Sequence, residues 1–223
     1  MREVDRNPIT PRLSAKAKEL LTELCFRKDD TPKKVDGIFV FSSLVDIKKE
    51  VELIEKILNK GISKKVFITG GVINKERAHE LQINEDVVEA DLVLKYLDVS
   101  KYKDVRFYFE KQSTNTLENV TETLKNPEFK KCKSLLFIFK SHAAGRGYLT
   151  LKKFFQSANI LQLTFDCQYE RENKSITRIN WHSFAFAKSR VWGEYLRINK
   201  YSRRGDIEYE SVEELLDKIE KEI

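Results

Sequence analysis

The stretch GIFVFSSLVDIKKEVELIEKILNKGISKKVFITGG, residues 37–71, decides the fold. It opens on Gly37-Ile38-Phe39-Val40-Phe41, a continuous apolar run of the kind shown by a parallel strand covered on both faces. Ile47, Val51, Ile54 and Leu58 follow at helical spacing, and Gly61 stands where a helix C-terminus wants a residue tolerant of positive φ. Val66-Phe67-Ile68-Thr69 is a second apolar run. Strand, helix, stop and strand in succession are the unit from which a parallel α/β sheet is built.

Working outward, the unit repeats. A helix is predicted around Val87 to Leu97, a strand at Val105-Arg106-Phe107-Tyr108-Phe109, and a helix through Leu117, Val120 and Leu124 bounded by Pro127. Ser134 to Phe139 is the fourth strand, Tyr148 to Phe155 the next helix, and Ile160 to Phe165 a fifth strand. The alternation predicts a three-layer Rossmann-like α/β fold with a mainly parallel sheet of about five strands. Upstream, Ser14 reads as the N-cap of a helix through Leu20, Leu21 and Leu24. Downstream of Asp166 the alternation stops, and Glu170 to Thr177 is polar enough to read as a loop. Phe184, Val191, Tyr195 and Ile198 then mark one helix, and Val212, Leu215, Leu216 and Ile219 another behind the capping box Ser211-Val212-Glu213-Glu214. No linker, repeat or low-complexity tract divides the chain. The expectation is one domain over residues 1–223, a Rossmann-like core at 36–166 carrying a helical extension at 167–223.

A hydrophobic fraction of 41% beside 34% charged residues describes a globular chain with a well-solvated exterior. No apolar stretch approaches the roughly 20 residues that span a bilayer, and the opening Met1-Arg2-Glu3-Val4-Asp5 has no signal-peptide character, so a cytoplasmic location without a membrane span is expected. Cys25, Cys132 and Cys167 are odd in number and widely spaced, which reads as buried thiols rather than a disulfide framework or zinc knuckle. The net charge of +6 is spread among acidic residues, and the clusters Lys130-Lys131-Cys132-Lys133 and Arg203-Arg204 have no interleaved aromatics, which argues against a nucleic-acid partner.

Three short segments follow apolar runs and precede helical ones: Gly70-Gly71, Ser113 to Asn119, and Ser141-His142-Ala143-Ala144-Gly145-Arg146. In a parallel sheet that junction is the carboxyl edge, where loops converge on ligands, so one shared pocket is expected. Gly70 and Gly71 would let a ligand approach backbone N–H groups, or simply form a tight turn. Asn115-Thr116-Leu117-Glu118 is a capping box, yet Ser113, Thr114 and Asn119 exceed what capping needs. Glu110 would accept a hydrogen bond from a ligand hydroxyl or face solvent. Arg146 at a helix start suits an anionic group, or a surface salt bridge. Glu89 would bond a ribose or orient Arg146, although an acid in a first helical turn is common for electrostatic reasons alone. His79-Glu80 lacks the second His of a zinc-protease helix, and His182 beside Trp181 reads as packing, so no metal site is indicated. Walker A, Gly-x-Gly-x-x-Gly and Gly-x-Ser-x-Gly patterns are absent, and Ser141 beside His142 is no triad.

Gly70-Gly71 after a strand, Glu89-Ala90 on the next helix, the run Glu110-x-x-Ser113-x-Asn115-Thr116-x-Glu118-Asn119, and Ser141 with Arg146 together resemble the YdcF/SanA/ElyC-like family of unknown function. The resemblance covers roughly Asp36 to Asp166, and Trp192-Gly193-Glu194 through Gly205-Asp206-Ile207 is similar to the helical C-terminal extension of YdcF-like members. Phe41-Ser42-Ser43 replaces a glycine-containing turn of many relatives, and His142 lies one place earlier than the family's frequent His. The resemblance implies a Rossmann-like fold, an uncharacterised activity and S-adenosylmethionine as a ligand. Together with the residues' own chemistry, it makes Gly70, Gly71, Glu89, Glu110, Thr114, Asn115, Thr116, Glu118, Asn119, Ser141 and Arg146 the candidate binding residues. The first reading is therefore a protein binding a small anionic or nucleoside-containing ligand. A second is an enzyme acting on a phosphorylated or sugar-linked metabolite, with Glu89, Glu110 or Glu118 as acid/base and Arg146 holding charge. A third is a partner-binding module using the C-terminal helices.

Overall fold

A computed structural model describes residues 4–73, 78–79, 87–169 and 173–223. The chain divides into two compact units, one of Asp29–Phe139 with Phe155–Phe165, the other of Met1–Lys28, Lys140–Phe154 and Asp166–Ile223. The sheet is five-stranded and all-parallel, built from β1 (Gly37–Phe41), β2 (Lys65–Thr69), β3 (Arg106–Glu110), β4 (Ser134–Lys140) and β5 (Asn159–Phe165) in the order β3-β2-β1-β4-β5. Helices flank it, so the Rossmann-like α/β prediction holds.

Period-two alternation sorts the strands into two chemically different faces. Register pairs Phe39 with Phe67 and Phe137, and Phe67 with Tyr108, giving one aromatic face. Phe129 stacks on Phe39 at 5.0 Å, and Phe155 meets Phe129 edge-on at 5.0 Å. Ile38, Val40, Val66, Ile68, Leu136 and Ile138, all fully buried, make the centre of the opposite face aliphatic, with Phe107 and Phe109 beside them on the edge strand β3. Both faces being buried is why β1 showed no polar alternation.

Among the described residues the α-helices of this unit are α2 (Ile47–Asn59), α3 (Glu89–Tyr96), α4 (Thr116–Thr123) and α5 (Pro127–Lys130). Gly61 follows α2 at φ +58°, the left-handed conformation its position predicted. Pro127 bounds α4 as expected, since that helix ends at Thr123, and it also opens α5 at the first helical position, with Asn126 accepting from the Glu128 N–H at 2.9 Å. A proline loses nothing there because that N–H has no intrahelical partner.

In the other unit, α1 (Ala15–Cys25) is capped by Ser14, which accepts from the Ala17 N–H at 2.9 Å. It packs with α6 (Ala144–Phe154), α7 (Ala185–Arg204) and α8 (Glu213–Glu220) around Leu21, Phe26, Trp181, Tyr195, Ile198 and Leu216. The Trp181 indole N–H donates to Thr22 Oγ1 at 2.8 Å. A Cβ on Gly145 would stand 1.9 Å from the Leu24 carbonyl, so glycine is what lets the start of α6 lie against the end of α1. The expected loop after Asp166 contains an antiparallel pair, β6 (Gln168–Tyr169) and β7 (Lys174–Ser175), too short for a pattern; its residues 170–172 lie outside the described set. The capping box at Ser211 does not form, because the Ser211 hydroxyl and N–H both donate to Glu208 and Val212 stands at the N-cap. Cys25, Cys132 and Cys167 are free and buried. Among the described residues no helix is long and apolar enough to cross a membrane.

Candidate functional site

All five strands deliver their carboxyl ends to one edge, and strand order reverses beside β1, the position at which open α/β sheets take ligands. Within the sheet-bearing unit, the residues gathered there are Ser42 and Ser43 after β1, Gly70 and Gly71 after β2, Glu89 at the start of α3, and Glu110 to Glu118 after β3.

The glycine pair does something other than present N–H groups to an anion. Gly70 N–H donates to the Glu110 carbonyl and Gly71 N–H to the Ser113 carbonyl, both at 3.1 Å. Their own carbonyls accept from Ala90 N at 3.0 Å and Glu89 N at 3.1 Å, which sets the start of α3. A Cβ on Gly71 would stand 2.2 Å from the Ser113 carbonyl, and Gly70 sits at φ +140°, a conformation side chains avoid. The close approach that glycine permits is therefore between β2 and the loop after β3. An added Cβ on Gly70 would meet Glu89 Oε2 at 2.9 Å and Ser42 Cβ at 3.3 Å, so the Glu89 carboxylate and the Ser42 side chain flank one point above the strand ends.

Ser42 is 7% exposed, and its hydroxyl finds no hydrogen-bond partner among the described residues. A buried hydroxyl without a partner forfeits on the order of 1–3 kcal/mol, so each such group calls for an explanation. Its neighbour Ser43 donates its N–H to Glu50 Oε2 at 3.1 Å, and Glu50 is fully buried in the first turn of α2. Asp46, at the N-cap of that helix, pairs with Lys49 at 2.9 Å.

Glu110 neither faces solvent freely nor reaches outward: Oε1 accepts from the N–H of Gln112 at 2.5 Å and of Ser113 at 2.8 Å, while Oε2 accepts from the Ser113 hydroxyl at 2.6 Å. Glu118 accepts from the Thr114 N–H at 2.7 Å and hydroxyl at 2.8 Å, and Asn115 Oδ1 accepts from the Glu118 N–H at 3.0 Å. That is the predicted reciprocal cap, displaced by one residue, and it engages both carboxylates in folding their own loop. Thr116 is half-buried at the start of α4; Thr114 and Asn115 are exposed, and Asn119 is buried.

Ser141 and Arg146 belong to the other unit. The Arg146 guanidinium, expected on a ligand or at the surface, is instead buried against Glu194, with Nε at 2.6 Å and Nη2 at 3.2 Å from its two carboxylate oxygens. Arg197 reaches the same carboxylate at 3.3 Å. Burial alone would raise the Glu194 carboxyl, but Arg146 and then Arg197 outweigh it and hold it well below the usual range. Arg146 is itself raised; burial opposes its charge, and Glu194 prevails. Ser141 donates its hydroxyl to the Ile176 carbonyl at 3.4 Å. His142 is buried with Nε2 at 3.2 Å from the Tyr169 hydroxyl, and its pKa is pushed down to about 3, by burial first and by Lys140 next.

Sequence reading gave no site role to Ser42, Glu50 or Glu194. The two acids carried a signal. Glu50 shares a helical face with Ile47 and Ile54, and Glu194 with Val191 and Ile198, and an acid on an apolar stripe marks a buried, partnered charge. No family model, curated protein or solved structure matches the chain.

Proposed function

We propose that this chain binds a small nucleoside-containing ligand at the carboxyl edge of its sheet, with S-adenosylmethionine the first compound to test. The observation that carries the reading is Ser42, a buried hydroxyl without a partner among the described residues, set where strand order reverses. A group held there at a cost to stability is accounted for by a ligand that completes its bonding. Glu89 beside it is an acceptor suited to sugar hydroxyls. The resemblance to YdcF-like proteins points the same way. Of the two parts of the first reading, the nucleoside is favoured over the anion, because the N–H groups of Gly70 and Gly71 and the charge of Arg146 are already engaged.

The test is a thermal-shift and calorimetric screen with S-adenosylmethionine, S-adenosylhomocysteine, nucleosides, nucleotides and sugar phosphates. A ligand at about a hundred times its dissociation constant adds about 2.7 kcal/mol, which raises Tm by roughly 5 to 10 °C in a chain of this length. Ser42→Ala and Glu89→Gln are expected to weaken the shift. A screen in which nothing stabilises the protein, or a shift untouched by both substitutions, removes the reading.

A further inference from the structure

Of the two outer strands of the sheet, β5 has its edge closed by the chain itself. The Gln162 carbonyl accepts from the Asp30 N–H and its own N–H donates to Asp30 Oδ2, both at 3.0 Å, while the Thr164 hydroxyl donates to Asp29 at 2.8 Å. β3 is the other outer strand. The Arg106 N–H donates to the Lys64 carbonyl at 2.8 Å and the Glu110 carbonyl accepts from the Gly70 N–H at 3.1 Å. Arg106, Tyr108 and Glu110 therefore turn their backbone toward β2, and Phe107 and Phe109 turn theirs outward. Among the described residues nothing bonds to those outward groups. Edge strands are ordinarily blunted by proline, lysine, a bulge or a cover. β3 has neither proline nor lysine, keeps an unbroken register to β2 from Arg106 to Glu110, and carries Phe107 and Phe109 half-buried with their rings stacked at 6.4 Å.

The order of side chains along this edge, Arg-Phe-Tyr-Phe-Glu, is complementary to itself when reversed. In an antiparallel pair, residues directly opposite share one backbone orientation, so two copies of β3 meet about a two-fold axis only with some residue opposite its own counterpart. An axis at Phe107 sets Asp104 against Glu110, and an axis at Phe109 sets Phe107 against Lys111. An axis at Tyr108 sets Arg106 against Glu110 and Phe107 against Phe109 on both sides, and the outward N–H and C=O of Phe107 then bond those of Phe109 reciprocally. Arg106 is exposed, and Glu110, fixed in place by three donors of its own loop, keeps acceptor capacity on Oε2. We propose that β3 is a homodimer interface, at which two copies of the chain pair antiparallel about Tyr108 and continue one sheet into the other. Tyr108, stacked on Phe67 at 4.9 Å, carries the aromatic face across the axis. The proposal is independent of any ligand at the carboxyl edge.

Sedimentation of the full chain from about 1 to about 200 µM is expected to show the monomer passing to a species of twice its mass. Arg106→Glu, which sets like charges opposite one another at both ends of the paired strands, is expected to weaken dimerisation by about tenfold or more. Phe107→Pro, which removes an outward N–H and spares the bonds to β2, is expected to abolish it. Both variants are checked for folding by circular dichroism. Under mild oxidation Tyr108→Cys is expected to give a disulfide-linked dimer, because an axis through residue 108 brings the two Cα atoms to about 4.5 Å, within disulfide range. Phe107→Cys and Phe109→Cys, each a diagonal step from its own counterpart, should link far less, and the wild type with Cys25, Cys132 and Cys167 buried is the control. Hydrogen exchange of the wild type needs no variant: the Phe107 and Phe109 amides should be protected at high concentration and lose that protection on dilution. A chain that stays monomeric throughout, or exchange at those amides that ignores concentration, overturns the proposal. So does a dimer that survives both Arg106→Glu and Phe107→Pro, or one that links at 107 or 109 and not at 108.

Discussion

Removing one member of the Arg146–Glu194 pair should be far more damaging than removing both. Arg146 is 11% exposed and Glu194 7%, joined by bonds of 2.6 and 3.2 Å, so neither charge has water to fall back on. Breaking a buried pair from one side costs about 3–5 kcal/mol, whereas exchanging the whole pair for apolar groups of similar volume is often neutral. Glu194→Gln leaves the guanidiniums of Arg146 and Arg197 facing a neutral amide, and Arg146→Met leaves the carboxylate with Arg197 alone. Either is expected to lower Tm by roughly 6 to 20 °C at neutral pH, and Arg146→Met with Glu194→Leu to lose much less than the sum. Urea denaturation of the wild type, Arg146→Met, Glu194→Leu and the double variant closes the cycle. The pH dependence carries its own sign. With a folded-state pKa below its unfolded value, Glu194 contributes stability above about pH 4.5 that is lost as pH falls through the folded pKa. The gap between wild type and Glu194→Gln should narrow under acid. A single-variant penalty under about 1 kcal/mol, or singles that add to the double, would refute the reasoning.

Burial that holds His142 near pKa 3, against 6.5 when unfolded, makes its neutral form a condition of folding. Stability should therefore decline as pH drops below 6.5, by on the order of 4 kcal/mol once pH 3 is reached, and chemical denaturation should show that slope vanish between pH 6.5 and 4.5 in His142→Leu. Asn115→Ala removes the N-cap of α4 and should cost about 1 kcal/mol in urea melts; no loss would mean the cap is idle. Gly145→Ala forces a Cβ to 1.9 Å from the Leu24 carbonyl and should cost at least the roughly 1–3 kcal/mol of an overpacked core, while Gly205→Ala, at φ +83° in open space, should cost about 1 kcal/mol. Comparable melting temperatures for those two glycine variants would contradict the distinction between clash and backbone strain.

The central strands β1, β2 and β4 were legible because they lie where the sheet is buried on both faces, and such a strand is apolar almost throughout. β1 needed nothing beyond Gly37 to Phe41 to be recognised. Some local patterns had two physical uses. Proline stops a helix by lacking an N–H, yet Asn126-Pro127 is equally a start, because the first helical N–H is spare. Ser211 and Glu214 have the spacing of a capping box, but Glu208, on the other side of the serine, takes both of its donors. Spacing alone does not rank two acceptors at three residues' distance in opposite directions.

The candidate site was legible as a place and only partly as chemistry, and the reason is chain connectivity. Glu110 and Glu118 stand within a few residues of backbone N–H groups that need acceptors, so almost no loop entropy is spent in bringing them together, and local bonding takes them first. Arg146 finds its carboxylate 48 residues away, a contact no local spacing encodes. Gly70 and Gly71 correctly signalled close backbone approach, and the approaching chain is the loop after β3. Once these engagements are subtracted, a buried group at the carboxyl edge still without a partner among the described residues is the Ser42 hydroxyl. The expectation of an anion rested on groups that proved to be bonded within the protein.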